Sequence, residues 1–327
     1  MRIPSTTKSL FSLLILAGIL FLTTCGRKEG YHSVRGGVWS TTYHITFRGP
    51  AQLEDSIEAV LNEVGRSLSP FDSLSLVSKV NRQKETDIDI HFKKVYDISK
   101  KINELSGGAF DPTLAPLIRT WGFGQGHTPT ADTLRLDSIA RFIGLSKTRM
   151  KGNRLIKENK NVEFNFSAVA KGYGCDAIGA MFRRNSVKDY LIEIGGEVLA
   201  SGKSPRQSEW RVGIESPDNY TGAGAGRREY LDFINLKNEG IATSSNLRNS
   251  QVVNGRRRGH IMSVNMMAPV ETDVLSATVV AKSCGTADAL ATAAIACGAQ
   301  QGCELLRRAK ARGVLVTADS IIYIDWK

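Results

Sequence analysis

The stretch SCGTADALATAAIACG, residues 283–298, decides how the rest of the chain is read. Residues 276–282, SATVVAK, lead into it as a strand. Cys284-Gly285 predicts a tight turn, Thr286 a helix N-cap and Gly298 a C-cap. In that helix Asp288 and Thr292 stand four residues apart and share one face. A carboxylate and a hydroxyl one turn apart at a helix start can hold a hard cation by oxygen. The same residues can instead serve the helix alone, Asp288 complementing the dipole and Thr292 bonding back to a carbonyl. Spacing alone favours that plainer reading. The residues upstream shift the balance.

A helix is expected from Ala168, capped by Ser167, after a strand at 161–166 (NVEFNF). Its first turns carry Lys171, Gly172 and Gly174. Glycines there weaken a helix, and they make sense where a backbone must approach a ligand closely. A lysine at a helix N-terminus suits a phosphate; plain solvent exposure of Lys171 is the alternative. Residues 190–200, YLIEIGGEVLA, form a strand interrupted by Gly195-Gly196. WRVGIE at 210–215, 231–236 and the segment ending at Ile241 read as strands, and Thr243-Ser244-Ser245-Asn246 as a polar turn. Earlier, a strand around 38–48 places Tyr43, Ile45 and Phe47 on one face. Helical spacing runs over 53–68 and again from Phe92 to Leu105, where Gly107-Gly108 stops it. Trp121-Gly122-Phe123-Gly124 is either a packed loop plug or a wall for a flat ligand. Residues 125–133 and the Gly/Ala-rich 220–227 read as loops. The tail adds a helix near 304–311 and strands at 314–317 and 321–325. No fixed-period repeat exists, and strands and helices mix without a βαβ rhythm. The fold class is therefore α+β, with mixed or antiparallel sheets and packed helices.

The 327 residues carry a formal charge of +11 and 42% hydrophobic residues, an ordinary globular balance. The excess favours an acidic partner. No interleaving of aromatic and basic residues marks a base-stacking groove, so nucleic acid is not the expected one. The N-terminus has a charged start at Arg2 and Lys8 and an uncharged apolar run from Leu10 to Leu22, shorter than the ~20 residues of a spanning helix. Thr23-Thr24-Cys25 resembles a lipoprotein lipobox. Residues 1–24 are then a signal peptide, Cys25 the lipidated residue and 25–31 a polar tether, leaving +9 for the mature chain. An uncleaved anchor is the alternative, and either places 32–327 outside the cytoplasm at a membrane. Cys175, Cys284, Cys297 and Cys303 show no metal-ligand spacing. Export permits pairing, with connectivity unreadable from sequence, and none is expected to be catalytic.

Taken in order, several segments resemble the ApbE family of flavin transferases. They are Ser69-Pro70-Phe71 with Asn81; Ala109-Phe110-Asp111-Pro112-Thr113 with 121–124; Phe166-Ser167-Ala168-Val169-Ala170-Lys171-Gly172-Tyr173 with Asp176; 193–197; 210–214; Ala242-Thr243-Ser244; His260-Ile261; and Ala287-Asp288-Ala289-Leu290-Ala291-Thr292. The resemblance implies a T-fold-like architecture with a ligand cleft between two subdomains. It implies Mg²⁺-dependent transfer of FMN from FAD to a threonine hydroxyl of a target protein, releasing AMP. The target would be a subunit of a membrane redox complex with a D-G-x-T-type motif. The chain itself would be an exported lipoprotein facing the periplasm. Mg²⁺ would be held by the Ala168 main-chain oxygen, Asp288 and Thr292. Asp288 and Lys171 would be the catalytic pair, Lys171 beside the dinucleotide. Ser69, Pro70, Phe71, Ala109, Phe110, Asp111, His260 and Ile261 would line the FAD site. Three segments depart from the family pattern, the shortest being Ser244-Ser245-Asn246 in place of the family's S-G-[DN] turn. Trp39-Ser40-Thr41 replaces Met-Gly-Thr, which puts Trp39 over a flavin or adenine face, covering or blocking it. His260-Ile261-Met262-Ser263-Val264-Asn265-Met266-Met267 replaces the usual His-Ile-Ile-Asp-Pro-x-Thr-Gly. These departures keep two alternatives open: an FAD-binding lipoprotein without transferase activity, and a periplasmic FAD pyrophosphatase giving FMN and AMP.

Overall fold

The computed structural model describes residues 30–83, 85–123, 133–216, 229–247, 250–253 and 256–326. The expected signal peptide, Cys25, Gly124 and the expected loop at 220–227 lie outside these. The described elements run β1 (Tyr31–Val38), β2 (Thr41–Arg48), α1 (Leu53–Leu68), α2 (Leu76–Asn81), α3 (Ile90–Leu105), α4 (Ala115–Thr120) and α5 (Thr133–Ala140). Next come β3 (Thr148–Lys151), β4 (Arg154–Lys157), α6 (Ala170–Arg184), β5 (Tyr190–Ile194), β6 (Glu197–Ser201), β7 (Trp210–Glu215), β8 (Tyr230–Leu236) and β9 (Glu239–Ser245). The chain closes with β10 (Ser250–Val253), β11 (Arg256–Gly259), β12 (Met262–Ser263), β13 (Ala268–Pro269), β14 (Val274–Ala281), α7 (Cys284–Cys297), α8 (Ala299–Ala309), β15 (Arg312–Thr317) and β16 (Ile321–Ile324).

One eight-stranded sheet, ordered β1-β2-β5-β6-β9-β14-β15-β16, carries the architecture, and its pairings are antiparallel throughout. Strand alternation sorts its side chains into two layers. On one face Tyr43, Ile45, Phe47, Ile192, Ile194 and Leu199 pack against Leu53, Ile57 and Leu61 of α1 and Ile178 and Phe182 of α6. On the other, Val198, Ala200, Ile241, Val280 and Val314 are covered by Trp210, Ile214, Ile234 and Leu236 of the β7–β8 hairpin. No described helix is long and apolar enough to cross a membrane.

Helix α7 lies at the centre. Ten of its fourteen residues are buried, and it is apolar on nearly every side, as a helix enclosed by other elements must be. Small residues let its neighbours come close. A Cβ on Gly172 of α6 would sit 2.4 Å from the Cys284 carbonyl oxygen, and one on Gly240 of β9 would sit 2.4 Å from the Cys284 Cα.

Several expectations are corrected. Cys284-Gly285 is not a turn but the first residues of α7, and the N-cap is Ser283, whose Oγ accepts the Thr286 N–H. Gly298 does terminate the helix, at φ 78°. Helix α6 starts at Ala170, not Ala168, with no side-chain cap; the Ser167 N–H is taken by Asn165 Oδ1. Asn161 is in a turn and residues 162–166 form no ladder, only a single bridge from Leu114 to Glu163, with Phe164 and Phe166 packed into an aromatic cluster on Phe92. Gly195-Gly196 is a hairpin turn at φ 62° and 103°, so 190–200 is two strands. Thr243, Ser244 and Ser245 belong to the interior strand β9, not to a turn. Tyr31 already pairs with Arg48 in β1, which ends the tether one residue early. Cys175, Cys284, Cys297 and Cys303 are free thiols.

Candidate active site

Three chain segments meet at Asp288: the start of α7, the first turn of α6 and the first residue of β6. Two side chains fix where α7 begins. Asp176 of α6 accepts the Cys284 N–H at Oδ1 and the Gly285 N–H at Oδ2, each at 2.8 Å. Ser283 takes the Thr286 N–H, so three of the four open N–H groups of the helix are satisfied. With α6 and α7 in register, the Gly172 N–H donates to Asp288 Oδ2 at 3.0 Å. Lys171, one residue earlier, lays its stem over the bare Gly195 turn and donates from Nζ to Glu197 Oε1 at 2.7 Å. One turn on from Asp288, Thr292 Oγ1 bonds Ser244 Oγ of β9 at 2.9 Å.

The cluster is tightly charged. Asp288 and Glu197 are each 3% exposed, and the Lys171 side chain 33%. Burial pushes the Asp288 carboxyl up, with Lys171 and the Gly172 N–H pulling it back. Burial raises Glu197 too, against the opposing pull of Lys171. Burial alone would lower Lys171, but Asp288 and Glu197 outweigh it and hold the ammonium firmly protonated. Asp176 is lifted to about 6 by burial, despite its two N–H donors. Glu197 Oε2 is buried with no hydrogen-bond partner, an arrangement native proteins rarely leave unexplained.

The residues present suit a hard cation. Val169 is the N-cap of α6, so Gly172 carries one of the open N–H groups of the first turn; Asp288 takes that donor, and the helical ladder begins at Tyr173 to Val169. Among the described residues no N–H or O–H donates to the Ala168 oxygen. A donorless carbonyl, a buried carboxylate and a hydroxyl form an all-oxygen set of the kind Mg²⁺ takes, completed by substrate phosphate and water. No three His, Cys, Asp or Glu side chains group as a metal cluster among the described residues. Asp288 is the one acid in this set.

The ApbE family model matches residues 39–316, which includes every element of this cluster. The chain belongs to the ApbE family. Among curated relatives, an FAD:protein FMN transferase of Haemophilus influenzae is 28% identical over 318 residues, spanning 92% of this chain and 90% of that protein. One of Vibrio cholerae is 29% identical over 301 residues, spanning 89% and 88%. The solved flavin transferase ApbE from Vibrio cholerae superposes with a TM-score of 0.79 at 26% identity, covering 90% of this chain and 97% of that one. The apo flavinyl transferase ApbE of Pseudomonas stutzeri gives 0.80 at 26%, covering 90% and 95%. The mixed, antiparallel α+β architecture is thus that of ApbE structures.

Other residues expected at the ApbE site are placed as follows. Ser69 ends α1 and accepts the Phe71 and Asp72 N–H groups at 3.3 Å, which leaves the Phe71 ring 55% exposed beside Pro70. Asp111 is buried and engaged internally: Oδ1 takes the Thr113 N–H and hydroxyl, Oδ2 the Leu145 N–H. It shapes the loop that carries Ala109 and Phe110. Phe110 and Ile261 share one core cluster with Tyr173 and Ala289, and His260 is partly buried. Among the described residues no hydrogen bond ties 69–71 or 109–111 to the Lys171–Asp288 cluster. Trp39 sits in the β1–β2 turn at φ 48° and wedges between α1 and α6, where a Cβ on Gly65 or Gly174 would lie 2.7 or 2.6 Å from its ring. Trp121 and Phe123 form a plug with Met262 and Met267, the Trp121 N–H donating to the Met267 carbonyl. Sequence reasoning gave no role to Glu197, no partner to Thr292 and no capping role to Asp176. Only the buried-acid spelling IGGE hinted at the first.

Proposed function

We propose that this chain is a Mg²⁺-dependent flavin transferase that moves FMN from FAD onto a threonine hydroxyl of an acceptor protein. Flavin transfer follows from family membership and from relatives named FAD:protein FMN transferase over most of their length. The finer reading is supported by one observation: the buried Asp288 carboxylate takes the open Gly172 N–H of the first turn of α6, and the Ala168 carbonyl just before that helix accepts no hydrogen bond among the described residues.

Ala168 O, Asp288 and Thr292 would hold the cation, which when bound neutralises pyrophosphate charge and stabilises the leaving phosphate oxygen. Lys171 presents an ammonium held by Glu197 and within the field of Asp288, and it suits a phosphate oxygen. In the transfer, the threonine oxygen bonds to the FMN phosphorus, the anhydride oxygen leaves on AMP, and the hydroxyl proton goes to water. Such chemistry asks for placement and charge neutralisation more than for a covalent nucleophile. The buried thiols fit that requirement, since burial raises Cys175 and Cys284 and keeps them inert. Phe71, exposed beside Pro70, is placed to meet a flat ring. Lipidation of Cys25 would tether the enzyme on the periplasmic side, where acceptors with a D-G-x-T motif in membrane redox complexes would be reached.

The described elements begin at β1, so a form of residues 26–327 retains all of them. Incubated with FAD, Mg²⁺ and an acceptor domain bearing a D-G-x-T motif, it is expected to raise the acceptor's mass by one FMN. FMN and AMP in the supernatant with an unmodified acceptor would replace this reading with FAD hydrolysis. Intact FAD would replace it with flavin binding alone.

A further inference from the structure

The mechanism above leaves Glu197 without a task. It is buried, it is the first residue of β6, and one of its oxygens has no partner. A buried carboxylate beside a second one is costly, and burying charges is tolerated chiefly when they are paired. Asp288 is the second one. Lys171 faces both: its neighbour's N–H already bonds Asp288, its own ammonium bonds Glu197, and the charges of both acids act on it. The ammonium therefore has two carboxylates to choose from. The lysine stem is steered by the Gly195 turn, where any side chain would press on its Cδ at 3.1 Å.

We infer that Glu197 is a positioning residue that keeps the Lys171 ammonium off Asp288, so that the Asp288 carboxylate stays open to a divalent cation. With Glu197 absent, Asp288 is the other carboxylate whose charge acts on Lys171, and an ammonium drawn to it would compete with the cation for the same oxygens. This role needs both the charge of Glu197 and its reach. It rests on the cation-site reading of Ala168, Asp288 and Thr292, and it acts through Lys171 rather than on substrate.

The test is Mn²⁺ binding to residues 26–327 without FAD, read by electron paramagnetic resonance. Circular dichroism melts check that each variant is folded. Mn²⁺ shares the oxygen preference of Mg²⁺. Glu197→Gln is expected to weaken binding roughly tenfold, within the usual range of coupling between contacting groups. Glu197→Asp, charged but one methylene short, is expected to weaken it likewise. In a Lys171→Met background, adding Glu197→Gln should change binding less than threefold, because no ammonium is left to misplace. Equal weakening in both backgrounds would show that Glu197 acts by its charge alone, and would overturn the inference. So would a Glu197→Asp variant that binds like the wild type, or a Glu197→Gln variant that does. Asp288→Asn separates the premise: if it binds Mn²⁺ as well as the wild type, the cation site itself is wrong. If it loses the ion while Glu197→Gln keeps it, only the role of Glu197 falls.

Discussion

Gly172→Ala is the sharpest test of how α6 and α7 build the site. The added Cβ would stand 2.4 Å from the Cys284 carbonyl oxygen, 2.7 Å from its carbon and 2.8 Å from the Asp288 Cβ. These are main-chain or near-main-chain atoms, so no side chain can swing away. Ordinary contact begins at 3.4 Å, so the two helix starts must part by about 1 Å. Replacing a helical glycine by alanine returns about 1 kcal/mol of propensity. Overpacking costs about 1–3 kcal/mol, so the net destabilisation is about 0–2 kcal/mol. The larger effect falls on function. A displacement of about 1 Å between Lys171 and Asp288 should cost roughly 100-fold in turnover. Urea denaturation gives the first quantity and acceptor flavinylation the second. Gly37→Ala in β1 is the control, since its nearest atom is 3.8 Å away and it should be close to neutral. A Gly172→Ala protein with wild-type stability and wild-type turnover would refute the close approach.

Three further outcomes are expected. Trp39→Ala should destabilise by about 2–3 kcal/mol, below the full cost of a buried tryptophan because its ring is partly exposed. Gly174→Ala should be harmful only while Trp39 is present, and additive losses in urea melts would contradict the wedge. Asp176 titrates at about 6 in the fold, against 3.8 as its ordinary value. Because the folded value is raised, the unfolded chain gives up its proton first. The stability Asp176 lends is full below about pH 4 and is lost as pH rises through about 6, about 3 kcal/mol in all. Relative to Asp176→Asn, the wild type should lose that much across this window in denaturation series. A gain over the same window would reverse the sign and the explanation.

The centre of the molecule was legible because its signals are local. The run of alanines in 287–294, the Asp288–Thr292 spacing and Gly298 all act within one helix, and each is where it was expected apart from the exact cap. Core alternation of Tyr43, Ile45 and Phe47 was equally readable, whereas β1 was missed because its outward face is polar or small. Thr243-Ser244-Ser245 misled because hydroxyls usually mark turns. Here they bond Thr278, Thr292 and the Leu275 carbonyl inside a strand. Phe164 and Phe166 misled the other way, since their alternation reflects aromatic packing rather than a ladder. What the sequence could not show was long-range pairing. Lys171 with Glu197, Gly172 with Asp288 and Asp176 with the start of α7 join residues 26 to 116 positions apart, through backbone approaches that only glycine allows.

The central claim is that Asp288 holds the cation through which FMN is transferred. The most direct measurement is the intact mass of an acceptor domain after incubation with FAD, Mg²⁺ and either the wild type or Asp288→Asn. The asparagine keeps an acceptor for the Gly172 N–H, so the variant is expected to fold with a wild-type circular dichroism spectrum. The account predicts one FMN on the acceptor with the wild type, none with the variant, and none for either with EDTA. A folded Asp288→Asn protein that still loads the acceptor would contradict it.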